Sequence, residues 1–315
     1  MEIRCRPWSE AGEALRPAWS TLRAANPALR SPYFAWEFVD AVARHVPGVE
    51  LAIFLEGTQV VALLPFQRLA AREAAPVGTP LNDYQGVIAA VGFAFEPVAW
   101  LDACGLDRFV FDHLVVDQPG WHPYVRTRRQ SPCLDLAAGF DAWLRGRRRL
   151  GRSRFERLEE LRRALARRHG PLRFVFDVDD EAVLDAVLAL KSHQYRRTLG
   201  AERDLFARPE MTAIVRDIFH ARAPGFAGAL SALWSGDTLV AAHFGMGSGD
   251  VLHWWFPTYA VSVARYSPGA LLLLDIARGA AAAGIRLIDF GKGSEPYKLR
   301  WATGAFEVAE GAVER

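Results

Sequence analysis

Residues 239–257 read LVAAHFGMGSGDVLHWWFP, and residues 266–298 read YSPGALLLLDIARGAAAAGIRLIDFGKGSEPYK. The first stretch is two apolar, β-branched and aromatic runs around Ser248-Gly249, the pattern of a hairpin. With Ser248-Gly249 as the turn, position 244 faces 253 and 243 faces 254. Side chains alternate along a strand, so His243 shares a face with Leu252 and Trp254, and His253 shares the other with Phe244 and Met246. The second stretch opens on Ser267-Pro268-Gly269, with a capping residue and a proline suited to a first helical turn. A helix is expected to Ala283, with Gly284 as its stop. The apolar run Arg286–Phe290 is then a strand, and the polar residues after it lie at a strand end, where α/β proteins gather ligand-binding groups.

Working outward, Gly228–Pro257 forms a long hairpin, preceded by helices over 181–197 and 209–223 and a strand over 172–178. Upstream, Leu51–Gln67 reads as two strands around Gly57-Thr58, after helices over Glu10–Ala25, capped by Ser9, and Tyr33–His45. Leu55–Leu64 aligns without a gap on Trp234–His243 at a constant offset of 179, with Gly57/Gly236, Val61/Val240 and Ala62/Ala241 identical. Three identities in ten fit either an internal repeat or two unrelated hairpins. Leu64 stands opposite His243, so if the halves are duplicates the second kept the polar equipment.

The chain of 315 residues is 51% apolar and 23% charged, which excludes wholesale disorder, collagen-like repeats and coiled coil, and is long enough for two domains. Its net charge of +2 predicts no DNA partner. That balance hides an asymmetry. Only Lys191, Lys292 and Lys298 are lysines, against 35 arginines. Eleven of the arginines fall between Arg145 and Arg168 against three glutamates, a local charge of +8. The expected helix 142–169 carries Leu150, Leu158, Leu161 and Leu165 on its apolar side and ends at Gly170-Pro171. Its arginines can pair with Glu156, Glu159 and Glu160, bind phosphates of an acceptor, or hold an anionic membrane surface.

Cys5, Cys104 and Cys133 show neither paired nor metal-type spacing, so no disulfide and no zinc site is expected. The opening MEIRCRPWSEAGEALRPAW lacks an apolar signal core, and no run reaches the ~20 apolar residues of a membrane span. A cytoplasmic protein, at most peripheral at the inner face of the membrane, is expected. There is no GxxxxGK[ST] and no GxGxxG, so neither a P-loop nor a Rossmann site is supported. Asp289-Phe290-Gly291 matches a kinase metal motif by chance, because no companion kinase motif accompanies it.

The hairpin, the Tyr266-Ser267-Pro268-Gly269 helix start and the Asp289–Lys298 run resemble the CelD-like branch of the GNAT acyltransferases. Asn82-Asp83-Tyr84-Gln85-Gly86 and Lys191-Ser192-His193-Gln194-Tyr195-Arg196-Arg197-Thr198 resemble it too, so the likeness extends over nearly the whole chain. It implies an α/β (α+β) fold of tandem duplicated GNAT-like domains, each a mixed, largely antiparallel sheet. Residues 1–138 would be a degenerate copy and 139–315 the acyltransferase domain. It also implies acetyl-CoA or another acyl-CoA as co-substrate, no metal, and a role in cellulose or exopolysaccharide biosynthesis. The acceptor would be a small molecule or glycan, anionic or phosphorylated. Arg265, Tyr266, Ser267, Pro268, Gly269, Ala270, Lys292 and Lys298 would hold the donor. The Arg265–Ala270 turn, however, has one residue more than the [RQ]-x-x-G-x-[GA] turn of ordinary GNAT enzymes, which keeps a Fem-like aminoacyl-tRNA donor open, and with it a non-catalytic partner of a polysaccharide synthase.

Acyl transfer from a thioester needs a base, oxyanion donors and a proton for the leaving group. His253 with Asp289 is the favoured pair for the base, with His243 and Glu295 as further candidates. Tyr259, Tyr266 or Tyr297 would protonate the thiolate. Backbone amides after Leu252 would bind the oxyanion. Asp83, Tyr84, Lys191, Gln194, Tyr195, Trp255 and Tyr259 are the expected acceptor contacts.

Overall fold

The computed structural model describes residues 1–315. In chain order the strands are β1 (Glu2–Pro7), β2 (Val49–Glu56), β3 (Gln59–Ala70), β4 (Glu73–Pro76), β5 (Ile88–Ala89), β6 (Arg108–Val115), β7 (Val125–Asp135), β8 (Leu172–Val175), β9 (Arg222–Ala223), β10 (Phe226–Ser235), β11 (Thr238–Ser248), β12 (Val251–Tyr259), β13 (Leu287–Asp289) and β14 (Gly304–Glu314). The α-helices are α1 (Trp8–Ala11), α2 (Arg16–Ala24), α3 (Trp36–His45), α4 (Pro97–Ala103), α5 (Phe140–His169), α6 (Glu181–Leu199), α7 (Pro209–His220), α8 (Pro268–Ala282) and α9 (Pro296–Trp301).

The chain divides into two compact units. The first comprises Met1–Ser131, Lys292–Ser294 and Ala305–Arg315, and the second Pro132–Gly291 and Glu295–Gly304. A single cut at 138/139 does not describe this division, because β14 returns to pair antiparallel with β6, Val308 opposite Val115. In the first unit the strand order is β1-β2-β3-β4-β6-β14, with β5 on β3. Its core gathers Phe66, Trp100, Phe109 and Trp121 at edge-to-face and tilted geometries, with both tryptophans fully buried. In the second unit the end of β7 is followed by β13-β12-β11-β10-β8. Only β12 and β13 run parallel there. Its core packs the apolar face of α8 (Leu271, Leu272, Ile276, Ala280) and of α5 (Phe155, Leu158, Leu165) with Leu252 and Trp254.

The repeated hairpins agree to the residue. Both close on a glycine with positive φ, Gly57 at 61° and Gly236 at 56°. Both also shift register at the same place, between Phe54/Leu55 in one and Leu233/Trp234 in the other, again 179 residues apart. A turn residue and a bulge in common are stronger marks of duplication than three identities in ten, since bulges are kept as designed features.

Several local expectations are corrected. The first long helix is broken into α1, a 3₁₀ turn and α2, because Gly12 takes a φ of 67° and Pro17 starts a new helix. Helix α5 is interrupted at Gly151, and Leu150, expected on its apolar side, is 77% exposed. Of the three glutamates expected to pair with arginines, Glu156 pairs with Arg152 and Glu160 with Arg157. Cys5 and Cys104, expected as thiols, form a disulfide with Cα atoms 5.6 Å apart, inside the normal span. No helix is long and apolar enough to cross a membrane.

Candidate active site

The hairpin turn falls at Gly249-Asp250, since Ser248 pairs with Val251. His253 therefore lies opposite Met246 rather than Phe244. A slip of two residues leaves every side chain on its expected face, so the assignment of the histidines to opposite faces holds. Past His253 the register shifts again, and Phe244 faces Phe256. Trp254 and Trp255 together oppose Gly245, which makes a bulge on β12. Gly245 permits this: a Cβ there would lie 2.1 Å from the His253 carbonyl oxygen and 2.6 Å from the His243 ring.

His243 fills the bulge. Its ring stacks on Trp254 at 4.2 Å between centroids and 11° between planes. The Trp255 N–H donates to His243 Nε2 at 3.3 Å. Burial first, then the charges of His253 and Lys191, lower its pKa to about 3. A neutral ring that already accepts a backbone hydrogen bond is not a general base near neutral pH, and the expected role of His243 is corrected to that of a bulge plug. The same contact engages the Trp255 amide, one of the expected oxyanion donors.

On the other face, β12 and β13 pair in parallel through His253 and Asp289, and the pairing stops there. His253 Nδ1 lies 3.9 Å from Asp289 Oδ2, and both side chains are fully buried. Asp289 Oδ1 accepts the Gly291 N–H at 2.9 Å, which fixes the carboxylate at the strand end. Beyond this pair, one lysine attends each strand. The Lys191 ammonium, from α6, donates to the Pro257 carbonyl of β12 at 3.2 Å and lies over the Tyr195 ring at 5.4 Å. The Lys298 ammonium, from α9, donates to the Gly291 carbonyl at 3.4 Å and pairs with Glu295 at 3.2 Å. Burial first, then the charge of Lys298, lowers the Lys191 pKa to about 8. Tyr297 is partly exposed on α9.

The rest of the Lys191–Thr198 motif is tied to the segment that follows α6. Ser192 and Arg196 both donate to the buried Asp204 carboxylate, at 2.6 and 2.7 Å. Tyr195 stacks on Phe206, which meets Phe256 edge-on. This closes the loop after α6 over β12. Gln194 is half-buried, and its carbonyl accepts the Thr198 hydroxyl. Trp255 stacks on Phe256 at 4.4 Å.

At the start of α8, Ser267 is the only non-glycine residue with positive φ, at 53°. Such a backbone is uncommon and collects at ligand sites. It also turns the Ser267 side chain away from capping. Its carbonyl instead accepts the Ala270 and Leu271 amides at 3.0 and 3.2 Å. Arg265 donates to the Tyr266 hydroxyl at 2.7 Å. Pro268 is buried, and Tyr259 lies 3.5 Å from where a Gly269 Cβ would project. The residues thus fit a pyrophosphate only in part: the small residue is in place, while the cation and two amides are committed within the turn.

Three predicted residues belong to the first unit. Lys292 donates to the Asp112 carbonyl at 2.9 Å and pairs with Glu310 at 3.2 Å. The Tyr84 hydroxyl is bonded to Ser131 at 2.8 Å, and Asp83 lies 3.5 Å from His113. Sequence reasoning missed the network around them. Gln85 Oε1 accepts the Asp112 and His113 amides and Gln85 Nε2 donates to Asp112, so the Asn82–Gly86 loop is fastened to β6. The alternating Phe109–Leu114 strand carried no separate signal for this.

Comparison with known proteins bears on the fold. Residues 152–299 match the acetyltransferase (GNAT) domain. No curated protein matches the chain. Among solved structures, FemX aligns over 99% of this chain and 96% of its own, at 11% identity and a TM-score of 0.62. The C-terminal domain of a putative lysylphosphatidylglycerol synthetase from Agrobacterium fabrum aligns over 96% of this chain and 93% of its own, at 14% identity and 0.56. A tandem GNAT protein from the clavulanic acid biosynthesis pathway aligns over 99% and 98%, at 12% and 0.52. At these identities the likeness is one of fold, and it extends over both units.

Proposed function

We propose that this chain, a transferase whose second unit carries a GNAT acetyltransferase domain, moves the acyl group of acetyl-CoA or another acyl-CoA to an amine or hydroxyl. The acceptor would be a sugar, nucleotide sugar or exopolysaccharide precursor, the class implied by the CelD-like resemblance. The observation that carries the reading is the strand end itself. The parallel pairing of β12 and β13 stops at His253 and Asp289, β12 bulges at once, and a buried lysine attends each strand beyond.

The donor supplies an activated carbonyl and a thiolate leaving group. His253 takes the acceptor proton as the carbon–nucleophile bond forms, and Asp289 stabilises the resulting imidazolium. Lys298 and Lys191 face the negative charge that develops as the carbon–sulfur bond breaks. Lys191, with a pKa of about 8, returns a proton to the thiolate. Its pKa lies close to that of a thiol, which favours transfer near neutral pH.

His253→Gln and Asp289→Asn should each lower thiol release from acetyl-CoA by at least tenfold, with an unchanged thermal midpoint confirming folding. Full turnover in both variants would remove the pair from the mechanism. A second reading, a Fem-like aminoacyl donor, is favoured by one observation: Arg265 and the Ala270 and Leu271 amides are already bonded inside the turn. Stabilisation of the protein by charged tRNA and not by acetyl-CoA would select that reading.

A further inference from the structure

The acyl-transfer site leaves unexplained the most charged segment of the chain. Between Asp141 and Glu156 there is no acidic residue, and Arg145–Arg154 holds six arginines in ten positions. Arg145, Arg148, Arg149, Arg152 and Arg154 are exposed. Of these, only Arg152 has a carboxylate partner, Glu156 at 2.8 Å. Arg148 rests over the Phe155 ring at 6.0 Å. The sixth, Arg147, is drawn inward to the Ala302 carbonyl at 3.0 Å and to that of Arg300. Its pKa is lowered by burial and then by the charge of Arg154, so the cluster repels itself.

Ordinary solvation does not require this arrangement. The second half of the helix, after Gly151, shows what a solvated basic face looks like. There Glu156, Glu159 and Glu160 alternate with arginines, and Arg162 is paired with the buried Asp275 at 2.8 Å. The first half has no such dilution, and it ends at the break with Leu150 77% exposed. The apolar stripe of Phe140 and Trp143 is buried, but Leu150 leaves it, exposed and flanked in sequence by Arg149 and Arg152.

A bare arginine cluster attracts polyanions in general, and the leucine decides between them. Single-stranded nucleic acid is held by exposed aromatic side chains on which bases stack, and Trp143 and Phe155, the aromatic residues of this segment, are buried. A lipid surface takes up both features, because headgroup phosphates meet the arginines while the aliphatic side chain enters the acyl boundary.

We propose that Arg145–Arg154, with Leu150 at its break, is a peripheral binding surface for membranes rich in anionic phospholipid. The contact is reversible and charge-driven, and Leu150 adds the second, apolar signal that stable attachment needs. The proposal does not depend on the acyl donor or on the residues assigned to catalysis.

The test is co-flotation of the full chain with vesicles of phosphatidylglycerol and phosphatidylcholine, compared with phosphatidylcholine alone. Binding should require the anionic lipid and vanish at 0.5 M salt, where exposed charges are screened. One surface arginine is worth roughly fivefold in affinity. The triple variant Arg145→Gln/Arg148→Gln/Arg149→Gln should therefore lose about a hundredfold, and Arg163→Gln/Arg167→Gln much less. Leu150→Ser, at unchanged charge, should weaken binding by roughly tenfold. Equal binding to both vesicle types, no binding to either, or a triple variant that binds as tightly as the parent would each overturn the proposal. So would tighter binding of transfer RNA than of anionic vesicles at equal salt, displaced by the vesicles and lost in the triple variant.

Discussion

Lys191→Met is expected to make the protein more stable and less active. The lysine's folded pKa of about 8 lies below its ordinary 10.5, with burial as the main cause. At 1.36 kcal/mol per pKa unit, keeping the ammonium buried at pH 7 costs roughly 3 kcal/mol. Methionine removes that cost and fills similar space, but leaves the Pro257 carbonyl without its donor, a loss of about 1 kcal/mol. The net gain at pH 7 is about 2 kcal/mol, which at ~2.1 cal/mol/K of unfolding entropy per residue is about 3 °C in Tm for 315 residues. The pH dependence has a definite sign. Between pH 8 and 10.5 the unfolded chain holds a proton at Lys191 that the folded chain has released, so wild-type stability from this group rises with pH. The advantage of the methionine variant is therefore largest below pH 8, shrinks through that window and changes sign near its top. Urea midpoints of both proteins at pH 7, 8, 9 and 10 read this directly. A variant less stable than wild type at pH 7, or a difference that does not move with pH, would refute the burial argument. Thiol release equal to wild type would refute the catalytic one. A fall in activity together with a rise in stability is the pattern of a group held in place for function.

The other expectations concern the scaffold around the site. Gly245→Ala should lower stability by more than about 3 kcal/mol, because its Cβ meets the His253 carbonyl and the His243 ring; soluble protein with a near-normal melt would show the bulge to be softer than drawn. His243→Leu should cost about 2 kcal/mol by leaving the Trp255 amide unpaired in a buried site. His243→Gln, which keeps an acceptor, should cost less, and neither should move the pH–rate profile between pH 5 and 8. Arg162→Met should cost about 2–3 kcal/mol at pH 7 by stranding Asp275. Burial raises the Asp275 pKa above its usual 3.8, so the carboxyl costs more as pH rises and is relieved by protonation as pH falls. The Arg162→Met penalty should accordingly be smaller at pH 5 than at pH 7 in paired denaturation curves.

What could be read from the sequence is what depends on near neighbours. The helix α8, its stop at Gly284 and the strand carrying Asp289 follow from local signals over 266–290, and so do the hairpin turns at Gly57 and Gly236. The faces of His243 and His253 were legible even with the wrong turn, because the error was an even number of residues. What depends on distant partners was not legible. Lys191 looks like any lysine on a helix until Pro257, 66 residues away, and Lys298 close around it. The Cys5–Cys104 bond closes 99 residues. The return of β14 pairs Glu314 with Arg108 across the greater part of the chain. The bulge at Trp254-Trp255 has no sequence mark of its own, since Gly245 is one glycine among 26 and is demanding only because a carbonyl and an imidazole converge on it.

The duplicated hairpin separates these two kinds of information. Leu64 and His243 occupy the same place on the same backbone: each follows the shared bulge, and they pair with Ala52 and Ser231, themselves 179 residues apart. In the first copy the position is an apolar side chain closing a core. In the second it is an imidazole that takes up a backbone amide freed by the bulge on the next strand. The backbone pattern survives in both copies because glycine and alternation specify it locally. The imidazole's contacts exist in one copy because they need a third strand and its bulge to arrive around a single side chain. A substitution that makes the second copy like the first, His243→Leu, should therefore leave β10 and β11 paired as they are and loosen only β12 past His253. Amide exchange that quickens at Trp255 and Phe256 while remaining slow at Ala232 and Ala241 would show that separation, and uniform loosening of the hairpin would show that the two kinds of information are not separable.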